Sequence, residues 1–148
     1  MSCEKTGKCL CGAVSFSARN VPKNFGLCHC DMCRRWSGGR WIGVHIEMQD
    51  LQLSGAEEIA TFKSSDWAER AFCKKCGSNI WYRVTEGPYA SGVSIGVGLL
   101  DDTDEMKLAR EFYVDRQTGA YEFPADRIQM TEAEVIALFA PSEEGEPQ

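Results

Sequence analysis

Eight cysteines constrain the fold of this chain of 148 residues more than any other feature does. We expect a cytoplasmic protein, because the sequence does not open with a signal-peptide pattern. Structural disulfides are rare in a reducing compartment, so closely spaced cysteines there favour a metal site or a redox site. Seven of the eight fall into three short groups: Cys9-x-Cys11, Cys28-x-Cys30-x-x-Cys33 and Cys73-x-x-Cys76.

The composition indicates how many hydrophobic cores the chain can form and which classes of partner it is suited to bind. A hydrophobic content of 43% in 148 residues suits one core. We expect a single domain over residues 1–140 and an acidic tail over residues 141–148. The formal charge of −6 argues against a nucleic-acid partner, and no apolar run approaches the ~18 residues of a membrane span.

Alternating apolar and polar residues predict a mainly β fold. Residues 20–26 have the composition of a turn, and Ser54-Gly55 predicts a turn between two strands. In residues 91–102, Gly and Ser alternate with apolar residues, which indicates a strand over which a backbone or a ligand passes closely. The predicted strands lie within residues 13–17, 40–48, 50–65, 69–84, 91–102 and, as the last one, 111–115.

Only one helix is well indicated, and it lies near the C-terminus. Thr131 and Glu134 form a capping box, Val135, Leu138 and Phe139 make an apolar face, and Pro141 ends the helix. Any short helix that begins after Cys30 must end within residues 37–39, which read Ser-Gly-Gly.

Two of the cysteine groups can together supply the four tetrahedral ligands that zinc prefers. Each is a knuckle in which a tight turn followed by glycine directs two sulfurs to one point. We expect these residues, called the four-sulfur cluster below, to form a structural zinc site; the alternative is four buried thiols. The cluster consists of Cys9, Cys11, Cys73 and Cys76.

The remaining group, called the three-sulfur cluster, consists of Cys28, Cys30 and Cys33. Three protein ligands with an open fourth position are typical of a catalytic or ligand-binding zinc, and an external thiolate suits the open position best. One alternative is a second structural site completed by Cys3 or His29, although the His29 ring is expected to point away to another partner. Another is an empty site oxidised to a disulfide. A thioredoxin-like redox site would require a βαβ context that the sequence lacks.

Arginines lie close to these cysteines in the sequence. Arg34 and Arg35 directly follow Cys33, where they can offset thiolate charge and bind a carboxylate in bidentate fashion. Lys63 and Arg70 lie nearer the knuckle of Cys73-x-x-Cys76. The alternative for all four is ordinary solvated surface charge.

Taken together, the motifs resemble the glutathione-dependent formaldehyde-activating enzyme family, which includes the centromere protein V domain. The resemblance runs from about Gly7 to Tyr121. The motifs that carry it are GKCLCGAVSF, CHCDMCRRWSG, RAFCKKCGS, VGLLDD and EFYVD, in the order of the family.

The resemblance implies a β-tent fold, in which small antiparallel sheets are joined by zinc. It also implies a structural zinc at the four-sulfur cluster and a second, more labile zinc at the three-sulfur cluster. The implied reaction is that of a carbon–sulfur lyase acting on a glutathione adduct of an aldehyde. The resemblance assigns no substrate-binding residue outside the cysteines; from their position after Cys33, Arg34 and Arg35 are our candidate ligands of the glutathione carboxylates.

Two other functions stay open at this point. The same scaffold can serve as a non-catalytic carrier of glutathione or another small thiol. It can also serve as a zinc-stabilised interaction module, as the centromere protein V resemblance allows, although the negative charge argues against nucleic acid. The oligomeric state is not indicated by the sequence.

Overall fold

The computed structural model describes residues 3–139, and its secondary structure is mainly β, as the sequence predicts. The strands are β1 (Lys5–Lys8), β2 (Ser15–Ala18), β3 (Asn24–Cys28), β4 (Trp41–Glu47), β5 (Leu51–Ser54), β6 (Ile59–Ser65), β7 (Ala68–Cys73), β8 (Asn79–Val84), β9 (Gly92–Gly96) and β10 (Lys107–Phe112). The helices are α1 (Asp31–Ser37) and α2 (Glu132–Phe139), and short 3-10 turns connect several elements. No helix among the described residues is long and apolar enough to cross a membrane.

The strands form two sheets within the first compact unit of the chain, which extends to Gln117. The smaller sheet has the order β1-β2-β5 and the larger has the order β10-β3-β4-β9-β8-β7-β6. All pairings are antiparallel except that of β10 with β3, which is parallel. This parallel pair is an addition to the predicted antiparallel sheets.

The hydrophobic core takes side chains from both sheets. Phe16 and Ala18 come from the smaller sheet, while Val44 and Ile95 come from central strands of the larger one. Both Val44 and Ile95 are completely buried. Since successive side chains of a strand point to opposite faces, the residues directly before and after Val44 and Ile95 lie on the other face of the larger sheet, away from the core.

Most predicted strands are confirmed. Two predicted boundaries are wrong, because pairing with distant strands determines where these segments become extended. Residues 20–26 were expected to form a turn, yet β3 begins at Asn24 because it pairs with β4 on one side and β10 on the other. The last strand was expected at residues 111–115, but β10 spans Lys107–Phe112 and ends where Tyr113 adopts a left-handed backbone with φ of 57°. Strand pairing outweighs local composition in both places.

The second compact unit begins at Thr118 and contains α2. The predicted capping box is present: the Thr131 N–H donates to Glu134 Oε2 at 2.6 Å and the Glu134 N–H donates to Thr131 Oγ1 at 3.3 Å. The single-domain prediction over residues 1–140 stays a prediction. Pro141 and the predicted acidic tail lie outside the described residues.

Candidate metal centres and the adjoining cleft

The four-sulfur cluster is assembled by two turns that are far apart in the sequence. The first follows β1 and the second joins β7 to β8. Cys9 Sγ lies 3.6 Å from Cys11 Sγ, and Cys11 Sγ lies 3.9 Å from Cys73 Sγ. All four sulfurs, including that of Cys76, lie within 4.8 Å of one another.

Both turns have the knuckle geometry that the sequence predicts. Gly12 and Gly77 adopt left-handed backbones with φ of 79° and 76°, a conformation in which glycine avoids the steric cost of a Cβ atom. The Gly77 N–H donates to the Cys73 carbonyl at 2.8 Å, and the Gly12 N–H donates to the Cys9 carbonyl at 3.1 Å. The two glycines therefore allow each pair of sulfurs to face one point.

These sulfur positions fit zinc. Tetrahedral coordination with zinc–sulfur bonds of about 2.3 Å places the sulfurs about 3.8 Å apart, close to the two distances above. The acidities of these thiols differ: the Ser78 hydroxyl and then its backbone N–H lower the pKa of Cys76 to about 5. Although the Ala13 N–H opposes them, burial and the neighbouring cysteine sulfurs raise the pKa of Cys11 to about 11. Burial opposes the ionisation of Cys9, but hydrogen bonds from the Val14 N–H, 3.3 Å from its sulfur, and with Cys11 and Cys73 together lower its pKa.

The three-sulfur cluster lies where β3 leads into α1. Cys28 ends β3, Cys30 precedes the first residue of α1, and Cys33 lies in its first turn. Cys30 caps the helix, because its sulfur accepts from the Cys33 N–H at 3.3 Å. The helix ends at Ser37, as predicted, and the next residue, Gly38, has a left-handed backbone and donates its N–H to the Arg34 carbonyl. The three sulfurs lie within 4.8 Å of one another.

No fourth side chain completes this cluster among residues 3–139. The group of His, Cys, Asp and Glu ligand atoms found there contains the three cysteines alone, so neither Cys3 nor His29 belongs to it. The buried His29 ring points instead to Glu111, with Nε2 lying 2.9 Å from its Oε1. All eight cysteines are described, and all are free thiols rather than disulfides.

A buried cation lies against the three-sulfur cluster. Arg70 of β7 is 3% exposed, and both of its terminal nitrogens lie 3.6 Å from Cys33 Sγ. Its guanidinium is held between two aromatic rings, 5.0 Å from the Trp36 centroid and 4.8 Å from that of Tyr82. Because it makes no ion pair with a described carboxylate, sulfur is the nearest source of compensating negative charge.

The thiols of this cluster differ in acidity. A hydrogen bond with Cys28, and after it the Arg70 guanidinium, lower the pKa of Cys33 to about 6 against the opposing effect of burial. The same Cys28–Cys33 hydrogen bond, followed by burial, raises the pKa of Cys28. Of these two sulfurs, Cys33 is therefore the one held as a thiolate.

A cleft of about 950 Å³ opens on the three-sulfur cluster, and all three cysteines line it. Its floor is the face of the larger sheet opposite the core, where Gly43, Gly92 and Ser94 lie. The sequence predicted that a backbone or a ligand passes closely over the residues of β9, and in the structure the groups that lie close to this strand are mainly side chains. Side chains from neighbouring strands fill the space above the glycines, and a Cβ atom at Gly96 would lie 3.0 Å from the Trp41 indole.

The arginines predicted to bind a carboxylate are not the arginines that line the cleft. Arg34 and Arg35 lie in α1, where Arg34 Nη2 is 3.9 Å from Asp31 Oδ1, and neither residue lines the cleft. Their role as carboxylate ligands stays a prediction. The arginines that line the cleft are Arg70, Arg83, Arg110 and Arg116.

Sequence reasoning missed the role of Arg70. Its position three residues before Cys73 suggested proximity to that knuckle, whereas its side chain contacts Cys33 of the other cluster. Alternation along β7 could have shown the difference, because Arg70 and Cys73 lie three positions apart and so project to opposite faces of the strand. The aromatic rings that hold Arg70 come from α1 and β8, which no local pattern connects with β7.

Known proteins similar to this chain indicate its family and its fold. Residues 4–116 match the family model described as glutathione-dependent formaldehyde-activating enzyme. The chain is 28% identical over 135 residues to an uncharacterized lyase of Schizosaccharomyces pombe, an alignment that covers 90% of this chain and 95% of that protein. The crystal structure of a Rhodobacter sphaeroides protein has a similar fold, with a TM-score of 0.58 and 22% identity. That likeness covers 72% of this chain and 98% of the other.

The family match includes β1 to β10, both cysteine clusters and the residues of the cleft. On the extent of this match, the chain belongs to the glutathione-dependent formaldehyde-activating enzyme family.

Proposed function

We propose that this protein is a zinc-dependent carbon–sulfur lyase that acts on the adduct of a small thiol and an aldehyde, with glutathione as the expected thiol. One observation carries the proposal: the three-sulfur cluster opens on a cleft of about 950 Å³ and has no fourth donor among residues 3–139. Family membership supports the thiol and aldehyde chemistry, and the S. pombe relative carries the name of a lyase.

Each cysteine group has a separate role in this proposal. The four-sulfur cluster holds a structural zinc that joins the turn after β1 to the turn after β7. Cys28, Cys30 and Cys33 hold a second zinc, which when bound lowers the pKa of a thiol ligand and keeps it deprotonated. Arg70 offsets the negative charge that the thiolates bring into a buried site.

The reaction forms or breaks one carbon–sulfur bond. In the forward direction the thiolate sulfur attacks the carbonyl carbon, and the π electrons of the carbonyl move to oxygen, which takes a proton from solvent. The reverse direction returns the proton to solvent and releases thiol and aldehyde.

The carboxylates of glutathione require cationic partners. Arg34 and Arg35 are the candidates from the sequence, and Arg110 and Arg116 are the candidates from the cleft. Neither Arg110 nor Arg116 makes an ion pair with a described carboxylate, so both are available for bidentate contact with a ligand. Comparing Arg34→Ala with Arg110→Ala for glutathione affinity separates the two assignments.

Exchange spectroscopy by NMR tests the activity directly. Formaldehyde and glutathione interconvert spontaneously with their adduct, and the wild-type protein is expected to accelerate this exchange. Cys30→Ser should abolish the acceleration while the protein stays folded. Cys3→Ser is the matched control, because Cys3 belongs to neither cluster, and it should behave as wild type.

The possible results separate the enzyme from the carrier. Acceleration that depends on Cys30 supports the lyase. Glutathione binding without any acceleration excludes the enzyme and leaves the thiol carrier. If Cys30→Ser binds glutathione as tightly as wild type does, the three-sulfur cluster is not the thiol site. The proposed partners are small molecules, and the cytoplasmic location stays a prediction.

A further inference from the structure

Large apolar side chains are exposed around the rim of the cleft. Trp67 is 51% exposed, Tyr89 is 72% exposed and Phe112 is 46% exposed, and all three line the cleft. Exposed apolar side chains gathered around one concavity mark a ligand site more reliably than scattered ones do. The other exposed apolar residues that line the cleft are Met32 and Tyr113.

These side chains reach the cleft from separate parts of the chain. Trp67 lies in the turn between β6 and β7, and Tyr89 lies in the connection between β8 and β9. Phe112 ends β10, at the opposite edge of the larger sheet from β6. Since none of these exposed rings fills the core, a ligand in the cleft that they line is the most direct reason for their placement.

The floor of the cleft also suits a flat ligand. Glycines and a serine in the central strands let aromatic rings lie close to the sheet: a Cβ atom at Gly26 would lie 3.1 Å from the Phe112 ring. The Trp41 indole is fixed over Gly96, and its Nε1–H donates to Ser94 Oγ at 3.1 Å. The Phe112 ring, which is held close to the sheet and is 46% exposed, can offer a face or an edge to another ring, and aromatic pairs prefer such contacts.

Formaldehyde alone does not account for this surface. It has no apolar group to contact the rim, and glutathione is a polar tripeptide whose carboxylates suit the arginines rather than the rings. A volume of about 950 Å³ lies at the upper end of the ~300–1,000 Å³ typical of sites for drug-sized ligands. The cleft therefore has apolar capacity that a one-carbon aldehyde leaves unused.

We propose that the aldehyde handled by this protein carries an aromatic ring, which the rim of Trp67, Tyr89 and Phe112 binds while the carbonyl carbon lies at the three-sulfur cluster. This inference rests on the proposed function and specifies its substrate class. The bond changes are those given above: the thiol sulfur and the carbonyl carbon form a hemithioacetal, with the proton on oxygen exchanged with solvent.

Calorimetry with two stable thioethers tests the inference without turnover. S-benzylglutathione and S-methylglutathione share the tripeptide and the sulfur and differ in the ring. We expect the zinc-loaded wild-type protein to bind the benzyl compound at least ~10-fold more tightly, because the rim removes the ring from water. Equal affinities for the two compounds would overturn the proposal.

Two variants of the rim and one control variant test which residues cause the preference for the benzyl compound. Tyr89→Ala and Phe112→Ala should each reduce the benzyl-to-methyl affinity ratio by about 3-fold or more, since each removes one apolar partner of the ring. Phe62→Ala is the control, because Phe62 is 61% exposed on β6 but does not line the cleft, and it should leave the ratio unchanged. A ratio that none of the rim variants alters would contradict the assignment of the rim.

The exchange measurement separates this inference from the function on which it rests. Benzaldehyde and formaldehyde are each mixed with glutathione, and the acceleration by the protein is compared. A clear preference for benzaldehyde supports the aromatic substrate. Equal acceleration of both keeps the lyase and overturns the aromatic preference. No acceleration of either overturns the lyase, whatever the thioether affinities are.

Discussion

The two cysteine clusters use the same ligand atom in different surroundings. The four-sulfur cluster consists of two knuckles, and none of its sulfurs lines the cleft. The three-sulfur cluster joins a strand end to a helix start, and all of its sulfurs line the cleft. A complete donor set in tight turns suits a structural ion, whereas an incomplete set beside a cavity suits exchange of a ligand.

Charge differs between the clusters as well. In the four-sulfur cluster, hydrogen bonds from Ser78 and from the Val14 backbone favour the thiolates of Cys76 and Cys9. The three-sulfur cluster has in addition the buried guanidinium of Arg70, 3.6 Å from Cys33 Sγ. In the proposed site, three thiolates and a divalent ion would carry one net negative charge, which a guanidinium neutralises, so one more thiolate would be accepted at lower electrostatic cost.

The largest expected effect is the loss of a ligand from the four-sulfur cluster. Cys73→Ala should prevent stable folding, because structural zinc contributes on the order of 10 kcal/mol, which is comparable to the whole stability of a domain. Cys30→Ser should fold and melt within a few degrees of wild type. Circular dichroism during heating measures both. Similar melting curves for the two variants would show that the clusters do not differ in structural role.

Removal of metal should distinguish the clusters next. When a chelator is added to the zinc-loaded protein, we expect one of the two ions to leave quickly and the other to stay until the protein unfolds. The fast ion comes from the three-sulfur cluster, since only that cluster lines the cleft. Glutathione should slow its loss by supplying the fourth sulfur. Metal analysis after rapid desalting follows the process, and loss of both ions at one rate would contradict the assignment.

Arg70→Met should weaken metal binding at the three-sulfur cluster alone. Loss of a group that supports a metal ligand typically lowers metal affinity about 10- to 100-fold. The guanidinium lowers the pKa of Cys33, so its removal raises that pKa, and protons compete with the metal at a higher pH. The pH at which half of this metal is lost should therefore shift upward.

The control for this prediction keeps the charge. Arg70→Lys should lie between Arg70→Met and wild type, because an ammonium can approach Cys33 but cannot pack between Trp36 and Tyr82 as a planar group does. Competition with a chromophoric chelator across pH gives both the affinity and the midpoint. An unchanged midpoint in Arg70→Met would show that the guanidinium packs beside the sulfur without affecting its ionisation.

Much of the fold follows from patterns that span a few residues. The knuckles are recognisable because two cysteines and a glycine at fixed spacing allow one tight turn, and the structure has left-handed backbones at Gly12 and Gly77. The capping box of α2 depends likewise on two residues three positions apart. Strand β10 was placed incorrectly because its pairing with β3 joins residues about eighty positions apart, which no local pattern can indicate.

The candidate site, like the fold, was predictable from the sequence only in part. Spacing alone separated the two cysteine clusters, and the structure brings together the same two sets. The sequence could not show Arg70 beside Cys33, nor the rim of Trp67, Tyr89 and Phe112, because sheet pairing brings those residues together from distant segments. Local spacing predicts ligand sets well, while the surroundings that tune them depend on tertiary contacts.

The smallest expected effects come from the glycines that shape each cluster. Gly77 and Gly38 both have left-handed backbones, with φ of 76° and 75°, and a Cβ atom at either would meet nothing within 4 Å. Alanine at each should therefore cost about 1–2 kcal/mol from backbone strain alone. Gly98→Ala is the control, because that position is equally open and has no left-handed backbone, and it should change stability by less than about 0.5 kcal/mol.

The two alanine variants should differ in which metal they affect. Gly77→Ala strains the knuckle of Cys73 and Cys76, so it should speed metal loss from the four-sulfur cluster and leave the faster ion unchanged. Gly38→Ala strains the end of α1, so it should speed loss from the three-sulfur cluster instead. Chelator kinetics on the three variants measure this difference. If both substitutions affected both ions equally, the clusters would be coupled through the fold, and their roles could not be assigned to local geometry.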